Sequence, residues 1–465
     1  MRQANFSYLL SRVELCLIGY LFLKIPFKLF AQQPGNASAT ESWPHLKVTS
    51  CSKMGCRDLK THLTMDADRR PLVDVNGTSS CLSSNITWNE KICSDPKSCS
   101  KNCALGKVNY TESEVISTQG HSVTLKLFNK EKQDGTRFYV MDSKELYKLF
   151  QLKNQEVSFE VDVSNAPAGV NAALYFVGME ADGGKSKANQ AGAPYGTGFC
   201  SSKCPTNLRF VNGKANVLVP TLIAPITNFG TMGSCCPEVD VWQANQVSQT
   251  FSAHPCISNK PVTCHGMSCK PDALCASSSS CDFSSLRADD RNFYGPSKTV
   301  NTMKKFRVIT QFITDDGTSS GDLVEIRRLY VQDDKVIENT RILVPRQSYA
   351  FNSVTDGFCS NSTAAIQQRN SFKYKGGLEA LGKAMENGMV MVLSLSLGDV
   401  SDQMLKDPKS SALAPVKNIT NSTMSSKNSS DTIISLQKNP RGSTVTFSHI
   451  KIGPINTSLK VSALI

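Results

Sequence analysis

Short segments in which apolar and polar residues alternate recur along most of this chain, separated by clusters of Gly, Asn, Asp and Ser. They include HSVTLKLF, VSFEVDVS, AALYFVGME, KKFRVITQF, MVMVLSLS and STVTFSHIKIG. Alternation with a period of two is typical of strands that bury one face in an antiparallel sheet. The pattern therefore predicts an all-β fold in which two antiparallel sheets pack against each other.

Helical periodicity is scarce by comparison. The clearest helix is predicted over residues 376–388, GGLEALGKAMENG, where apolar residues recur at helical spacing between glycines. Residues 406–430 are rich in Ser, Asn and Lys, and we predict a glycosylated surface loop there, because STVTFSHIKIGPI still has a strand pattern after it. We expect residues 32–465 to form one domain, without a carbohydrate-binding module at the carboxyl end.

The amino-terminal residues 1–31 differ from the rest. Arg2 and Arg12 precede an apolar run, VELCLIGYLFL, that Glu14 interrupts. The run is too short to cross a bilayer comfortably, so we predict a signal peptide cleaved near Ala31. A retained signal-anchor is the alternative, and only in that case would the protein stay on a membrane.

Composition and charge exclude few functions. The hydrophobic fraction of 40% and the charged fraction of 19% are those of a globular protein with a large core. The net charge of +12 is spread along the chain without a run of like charges. This favours a soluble basic surface, and we predict no nucleic-acid partner.

The cysteines indicate an oxidising compartment. Of the 17 cysteines, Cys16 lies in the predicted signal and leaves 16, an even number that favours a disulfide framework. CSKMGC and CHGMSC lack a second CxxC and the six histidines are scattered, so we predict neither a metal nor a cofactor. Outside the predicted signal, sequons for N-glycosylation occur at Asn36, Asn76, Asn85, Asn109, Asn361, Asn418, Asn421, Asn428 and Asn456. Together these features predict a secreted glycoprotein.

Several longer sequence segments indicate a particular protein family. In chain order they are TWNEKICSDPKSCSKNC, ALYFVGMEADGG, GAPYGTGFCSSKCPTNLRFVNGKAN, GSCCPEVDVWQAN, HPC, FYGP, KKFRVITQF and VTFSHIKIGPI. In this order, from Cys51 to Pro454, the chain resembles glycoside hydrolase family 7, the retaining cellobiohydrolases and endoglucanases. The resemblance implies a large, concanavalin A-like jelly-roll β-sandwich with disulfide-stapled loops, a concave sheet that holds β-1,4-glucan, and a monomer.

The resemblance also implies a disulfide pairing that spacing alone does not determine. The implied pairs are Cys51–Cys56, Cys81–Cys103, Cys93–Cys99, Cys200–Cys236, Cys204–Cys235, Cys256–Cys275, Cys264–Cys269 and Cys281–Cys359. They use all 16 remaining cysteines.

Catalysis in the family depends on a motif of the form Glu-X-Asp-X-X-Glu. Here Glu238 matches the nucleophile and Asp240 the supporting carboxylate, two residues apart and therefore on one strand face. Gln243 occupies the position of the acid/base, and it lies on the opposite face unless a bulge or a strand end intervenes. A carboxamide does not transfer its proton at ordinary pH, and losing this step costs about 10²–10⁴-fold in rate. The resemblance therefore implies impaired catalysis.

The substrate cleft of the family has further matches and several replacements. His254 matches a histidine near the leaving group, and the positions implied to contact substrate are Asn171, Tyr175, Tyr195, Lys203 and Trp242. Replacements in the cleft are Ser201 for an aspartate, Lys203 for a glutamine and Met232 for a histidine, while Arg69, Pro71, Ser396 and Lys406 take the places of tryptophan platforms. Because aromatic faces supply much of the affinity for sugars, a tight, processive tunnel is not expected.

Three hypotheses stay open on these residues. The first is a slow or altered secreted β-glucan hydrolase that still uses Glu238. The second is a non-catalytic glucan-binding or cell-wall glycoprotein, and the third is a purely structural or adhesive surface protein. A displaced carboxylate, Asp399 or Asp407, is a further option for the missing acid.

Overall fold

The computed structural model describes residues 32–35, 41–83, 87–127, 135–217, 230–277, 281–288, 290–365, 367, 369–398 and 442–458. The predicted signal at 1–31, the predicted loop at 406–430 and the carboxylates Asp399 and Asp407 lie outside these residues. Within the described ranges, no helix has both the length and the apolar character needed to cross a membrane.

The first layer of the structure is an antiparallel sheet built around the strand that carries Glu238. Its strands, in order across the sheet, are Gly55–Met65, Gly135–Met141, Met389–Leu397, Val170–Val177, Glu238–Ala244, Gln249–His254 and Asp282–Phe283. The short strand Leu149–Phe150 pairs with the start of Met389–Leu397.

The second layer is also antiparallel and packs behind the first. Its strands, again in order, are Ile116–Gln119, Ser122–Lys126, Thr444–Pro454, Gln155–Asp162, Phe306–Thr314 and Leu323–Gln332, with Lys335–Glu338 and Ser353–Val354 at the last edge. The hairpin of His45–Ser52 and Gly55–Met65 joins the two layers, because its first strand also pairs with Thr444–Pro454. The predicted two-layer, all-β architecture is confirmed.

Aromatic side chains from both layers meet between the sheets. Trp242, from the first layer, lies with its ring centroid 6.1 Å from that of Phe159, 6.5 Å from Phe306 and 5.9 Å from Phe447, all in the second layer. All four side chains are buried. Each such burial stabilises the fold by about 1.5–3 kcal/mol, so this cluster holds the layers together directly behind Glu238.

The predicted helix is present as Gly377–Glu386. It follows the helices Asp356–Ala365 and Ser371–Tyr374, and it buries Leu378, Leu381 and Met385, as their helical spacing predicts. In the part of the chain that the structure describes, the other helices are Pro96–Asn102 and Tyr110–Ser113, with 3₁₀ turns at Ala67–Arg69, Ala193–Tyr195 and Gly266–Cys269.

Small strand pairs stiffen the long connections between the main strands. They are Gln33–Pro34, Leu72–Asp74 and Cys103–Leu105 in one group, then Phe210–Val211 with Lys214–Ala215, Met232–Cys235 with Val262–His265, Tyr294–Gly295 with Val300–Asn301, and Ile342–Leu343 with Ala350–Phe351.

The disulfides are those that the resemblance implies: all eight pairs are formed. Two of them, Cys200–Cys236 and Cys204–Cys235, tie the segment between Cys200 and Cys204 to the residues that precede Glu238. The sequence separations are 36 and 31 residues. Closing loops of this size typically adds about 2–4 kcal/mol of stability per bridge, and here it also fixes a mostly buried segment beside the motif.

Candidate active site

A bulge in the strand Glu238–Ala244 decides which side chains share a face. The register to Gln249–His254 shifts between Asp240 and Gln243, and the register to Val170–Val177 shifts at the same level. The residues that enter the core between the sheets are Val239, Val241, Trp242 and Ala244. Two successive residues therefore point inward, and Gln243 returns to the face of Glu238 and Asp240. The bulge that the five-residue spacing requires is present.

Trp242 lies on the other side of the sheet. Its side chain is 0% exposed and packs among the aromatic residues of the core. The prediction that Trp242 contacts substrate is therefore wrong, because the bulge turns it inward beside Val241. Its indole nitrogen has no hydrogen-bond partner among the described residues.

Glu238 is buried and held by one serine. The backbone N–H of Ser202 donates to Glu238 Oε2 over 2.7 Å, and the Ser202 hydroxyl donates to the same oxygen over 2.8 Å. Burial, followed by the neighbouring charge of Asp240, raises the pKa of Glu238 to about 7. Sequence reasoning missed Ser202, since nothing in CSSKC sets one serine apart until the two disulfides place it.

Asp240 and His254 form a buried pair. His254 Nε2 lies 3.2 Å from Asp240 Oδ2, and His254 Nδ1 lies 2.8 Å from the carbonyl oxygen of Ala276. Burial opposes the charged imidazole, but the hydrogen bond and the charge of Asp240 outweigh it and raise the pKa of His254 to about 9. Burial alone would raise the pKa of Asp240 as well, yet His254 holds it below its usual range. We infer an imidazolium–carboxylate pair at neutral pH.

Gln243 is half-buried and hydrogen-bonded on the same face. Asn171 Nδ2 donates to Gln243 Oε1 over 3.2 Å, while the other oxygen, Asn171 Oδ1, is buried without a partner among the described residues. In the sheet, Gln243 lies between Ala173 and Thr250. Its carboxamide can orient a ligand by donating hydrogen bonds, but it has no proton to transfer.

The remaining predicted contact residues fall into two groups. Tyr175 is buried on the strand beside Glu238–Ala244, and Lys203 is exposed next to Ser202. The positive charge of Lys203 partly offsets the rise in the pKa of Glu238 and adds to the lowering of the pKa of Asp240 by His254. Tyr195 is in a different cluster, with its ring 5.4 Å from the Arg70 guanidinium. The structure thus brings Tyr175 and Lys203 to the carboxylates and places Tyr195 elsewhere along the first layer.

A family model described as "Glycosyl hydrolase family 7" matches residues 36–459. The chain belongs to glycosyl hydrolase family 7. A family 7 cellobiohydrolase from Daphnia pulex is 32% identical, with a TM-score of 0.81 over 92% of this chain and 100% of that chain. A cellobiohydrolase from Melanocarpus albomyces complexed with cellotetraose is 29% identical, with a TM-score of 0.75 over 91% and 99%. The native endocellulase EGI of Humicola insolens is 28% identical, with a TM-score of 0.74 over 92% and 100%. The predicted family and the jelly-roll sandwich are confirmed.

This family 7 member has polar residues in its cleft that the sequence alone did not indicate. Arg137 pairs with Ser394 in the sheet, and Ser394 pairs with Ala173, the neighbour of Gln243. The Arg137 guanidinium lies 3.5 Å above the Phe199 ring, and its Nη1 lies 3.5 Å from Asp66 Oδ2. Alternation in TRFYVM predicts which residues share a face with Arg137, but only the strand order shows that this is the face of Gln243, three strands away.

A cavity lies beside this row of residues. It has a volume of about 250 Å³, and its lining includes Asp66, Asp68, Glu180, Phe199 and Phe210. Neither Glu238 nor Asp240 is among the residues that line it, so the cavity is separate from the carboxylates.

The stability of this fold should depend on pH through His254. Its pKa rises from 6.5 to about 9 on folding, so the folded state holds the proton more tightly and the resulting stabilisation is complete below pH 6.5. We expect about 3 kcal/mol of unfolding free energy to be lost as pH rises through this window.

Denaturant unfolding with intact disulfides, followed from pH 7 to pH 10, measures this loss. Glu238 has a raised pKa of about 7, so its ionisation lowers the unfolding free energy as pH rises from its ordinary pKa towards pH 7. Above the folded-state pKa this cost levels off, and Glu238 then adds little to the change of stability with pH. The control is His254→Gln, in which the unfolding free energy should not fall in this way between pH 7 and pH 10. An equal slope in both proteins would contradict the assignment.

Proposed function

We propose that this protein binds β-1,4-glucan along the first layer and acts as a retaining glycoside hydrolase whose proton-transfer step is defective. Glu238 is the nucleophile, Asp240 with His254 supports it, and Gln243 stands at the acid/base position. The observation that carries the proposal is the bulge, because it places Gln243 on the face of Glu238 and Asp240. Cellotetraose in the Melanocarpus albomyces relative supports the choice of ligand.

The two halves of a retaining reaction make different demands on these residues. Attack on the anomeric carbon needs ionised Glu238, and both Ser202 donors stabilise that carboxylate. A sugar leaving group must receive a proton as it departs, and water must lose one as it attacks the intermediate. Gln243 does neither, so turnover of ordinary glucan should be slow.

We also propose that the protein is secreted and glycosylated. Eight disulfides are formed, which is typical of proteins from oxidising compartments, and the sequons Asn76 and Asn456 lie at exposed turns. A glucan-binding glycoprotein without turnover is the second candidate, favoured by Gln243 and by Arg69 and Ser396 at platform positions.

A dinitrophenyl β-cellobioside tests the proposal, because its leaving group departs without protonation. We expect a burst of dinitrophenolate equal to the enzyme concentration. Further dinitrophenolate should be released slowly, because water hydrolyses the glycosyl-enzyme slowly when no base activates it. Glu238→Gln should abolish the burst, whereas Glu338→Gln, a surface change in the second layer, should keep it.

Calorimetric titration with cellotetraose separates the candidates that remain. Binding without a burst would favour the glucan-binding glycoprotein. Neither binding nor a burst would leave a structural or adhesive role.

A further inference from the structure

If a glycosyl group is attached to Glu238, the surrounding residues favour its transfer to some acceptor molecules over its transfer to water. Water needs a base to take its proton as it attacks a glycosyl-enzyme. Gln243 is not a base, and Asp240, 3.2 Å from His254, has a pKa held below its usual range, which makes it a weak base. An acceptor that arrives as an anion has no proton to lose, so the missing base does not slow its attack.

The charges of the site also change when Glu238 becomes esterified. Before reaction, two carboxylates, Glu238 and Asp240, lie near two cationic groups, His254 and Lys203. The ester removes one negative charge and leaves a net positive charge beside the anomeric carbon. In a buried site this attracts an anion.

Lys203 is well placed to receive such an acceptor. It is exposed, and it follows directly after Ser202, whose N–H and hydroxyl both hold Glu238. The disulfides of Cys200 and Cys204 pin both ends of this short segment. The backbone of Lys203 is therefore fixed beside Ser202, and the exposed ammonium group acts on Glu238 and Asp240 through its charge.

We propose that this protein transfers glycosyl groups to carboxylate acceptors, forming glycosyl esters from donors whose leaving group departs as a stable anion. The inference rests on the proposed role of Glu238. In the first step a Glu238 oxygen bonds to the anomeric carbon and the leaving group departs with its electron pair. In the second, the acceptor carboxylate bonds to that carbon and Glu238 leaves with its own pair. No proton moves in either step, and the configuration is retained.

Acetate and glucose, each added to the native protein with dinitrophenyl β-cellobioside, test the inference. Acetate should raise steady-state dinitrophenolate release by about tenfold or more, because it bypasses the base-dependent step, and mass spectrometry should detect cellobiosyl acetate. Glucose, which needs a base, should change nothing.

Variants of Lys203 test the acceptor site. Lys203→Gln should lower the second-order rate constant for acetate roughly threefold to tenfold, as expected for the loss of one nearby charge. Added salt should lower the same constant in the native protein by screening. Lys203→Arg should retain the constant, and so should Lys335→Gln, a matched change on the exposed hairpin of the second layer.

Each alternative result has a distinct meaning. A burst without acceleration by acetate and without cellobiosyl acetate overturns the transfer proposal and leaves Glu238 as the nucleophile. Glucose transferred as efficiently as acetate also overturns it, because a base must then be at work. Equal acetate constants in Lys203→Gln and the native protein remove Lys203 from the acceptor site. No burst at all overturns the nucleophile proposal, and the transfer proposal with it.

Discussion

Gln243→Glu is expected to raise kcat on cellotetraose by about 10²–10⁴-fold, the usual value of a positioned general acid–base group. The substitution needs no change of the backbone, because the bulge already places residue 243 beside Glu238 and Asp240. Asn171 Nδ2 donates to the side-chain oxygen of Gln243, and it can donate equally to a carboxylate. The new carboxyl group would lie near two others, which raises its pKa and suits it to donate a proton.

Cellobiose release from cellotetraose measures this gain. Hydrolysis of the dinitrophenyl cellobioside should change much less in its first step, because that leaving group needs no proton. Gln243→Ala should show no gain, and Glu238→Gln combined with Gln243→Glu should show none either. An unchanged kcat in Gln243→Glu would mean that residue 243 does not reach the scissile bond.

Trp242→Ala is expected to lower the free energy of unfolding by about 3–5 kcal/mol, as for other large aromatic residues removed from a core. The side chain is 0% exposed and contacts Phe159, Phe306 and Phe447 of the second layer. Removing the indole would leave an empty space between the two sheets, and neither layer can move in to fill it without disturbing its own hydrogen bonds. Trp242→Phe should cost less, because the indole N–H has no partner to lose among the described residues.

Denaturant unfolding with intact disulfides measures the loss of unfolding free energy in Trp242→Ala, and calorimetry on the folded variant measures its affinity for cellotetraose. We expect lower stability with unchanged affinity. Trp43→Ala provides the comparison, since Trp43 is only half-buried at the edge of the same core and should cost less. Unchanged stability with a lost affinity would place Trp242 in the cleft after all.

In the motif PEVDVWQ, the local alternation of residues predicts the orientation of some side chains but not of others. Alternation predicts correctly that Glu238 and Asp240 share a face. It cannot place Trp242 and Gln243, because a bulge reverses the alternation after Val241. The bulge depends on pairing with Val170–Val177 and Gln249–His254, and the first of these strands is more than sixty residues away in the chain.

The pKa shifts of the site likewise cannot be predicted from the local sequence. The identities of Glu238, Asp240 and His254 predict groups that titrate, but not the direction of their pKa shifts. Those directions come from burial, from Ser202 on Glu238 and from the contact of His254 with Asp240. Desolvation and hydrogen bonding depend on which atoms surround a group, and residues distant in sequence supply those atoms.

The sequence by itself determined the two-sheet architecture, the helix at Gly377–Glu386 and, through the family blocks, the disulfide pairs. It also determined that residue 243 carries a carboxamide, which cannot transfer a proton, because that chemistry belongs to the side chain itself. Only the tertiary structure decided that Gln243 faces the carboxylates, that Trp242 belongs to the core, and that Ser202 and Lys203 flank Glu238. These outcomes depend on strand register and on disulfide-tied loops, which join residues far apart along the chain, and no local pattern of hydrophobic and polar positions contains them.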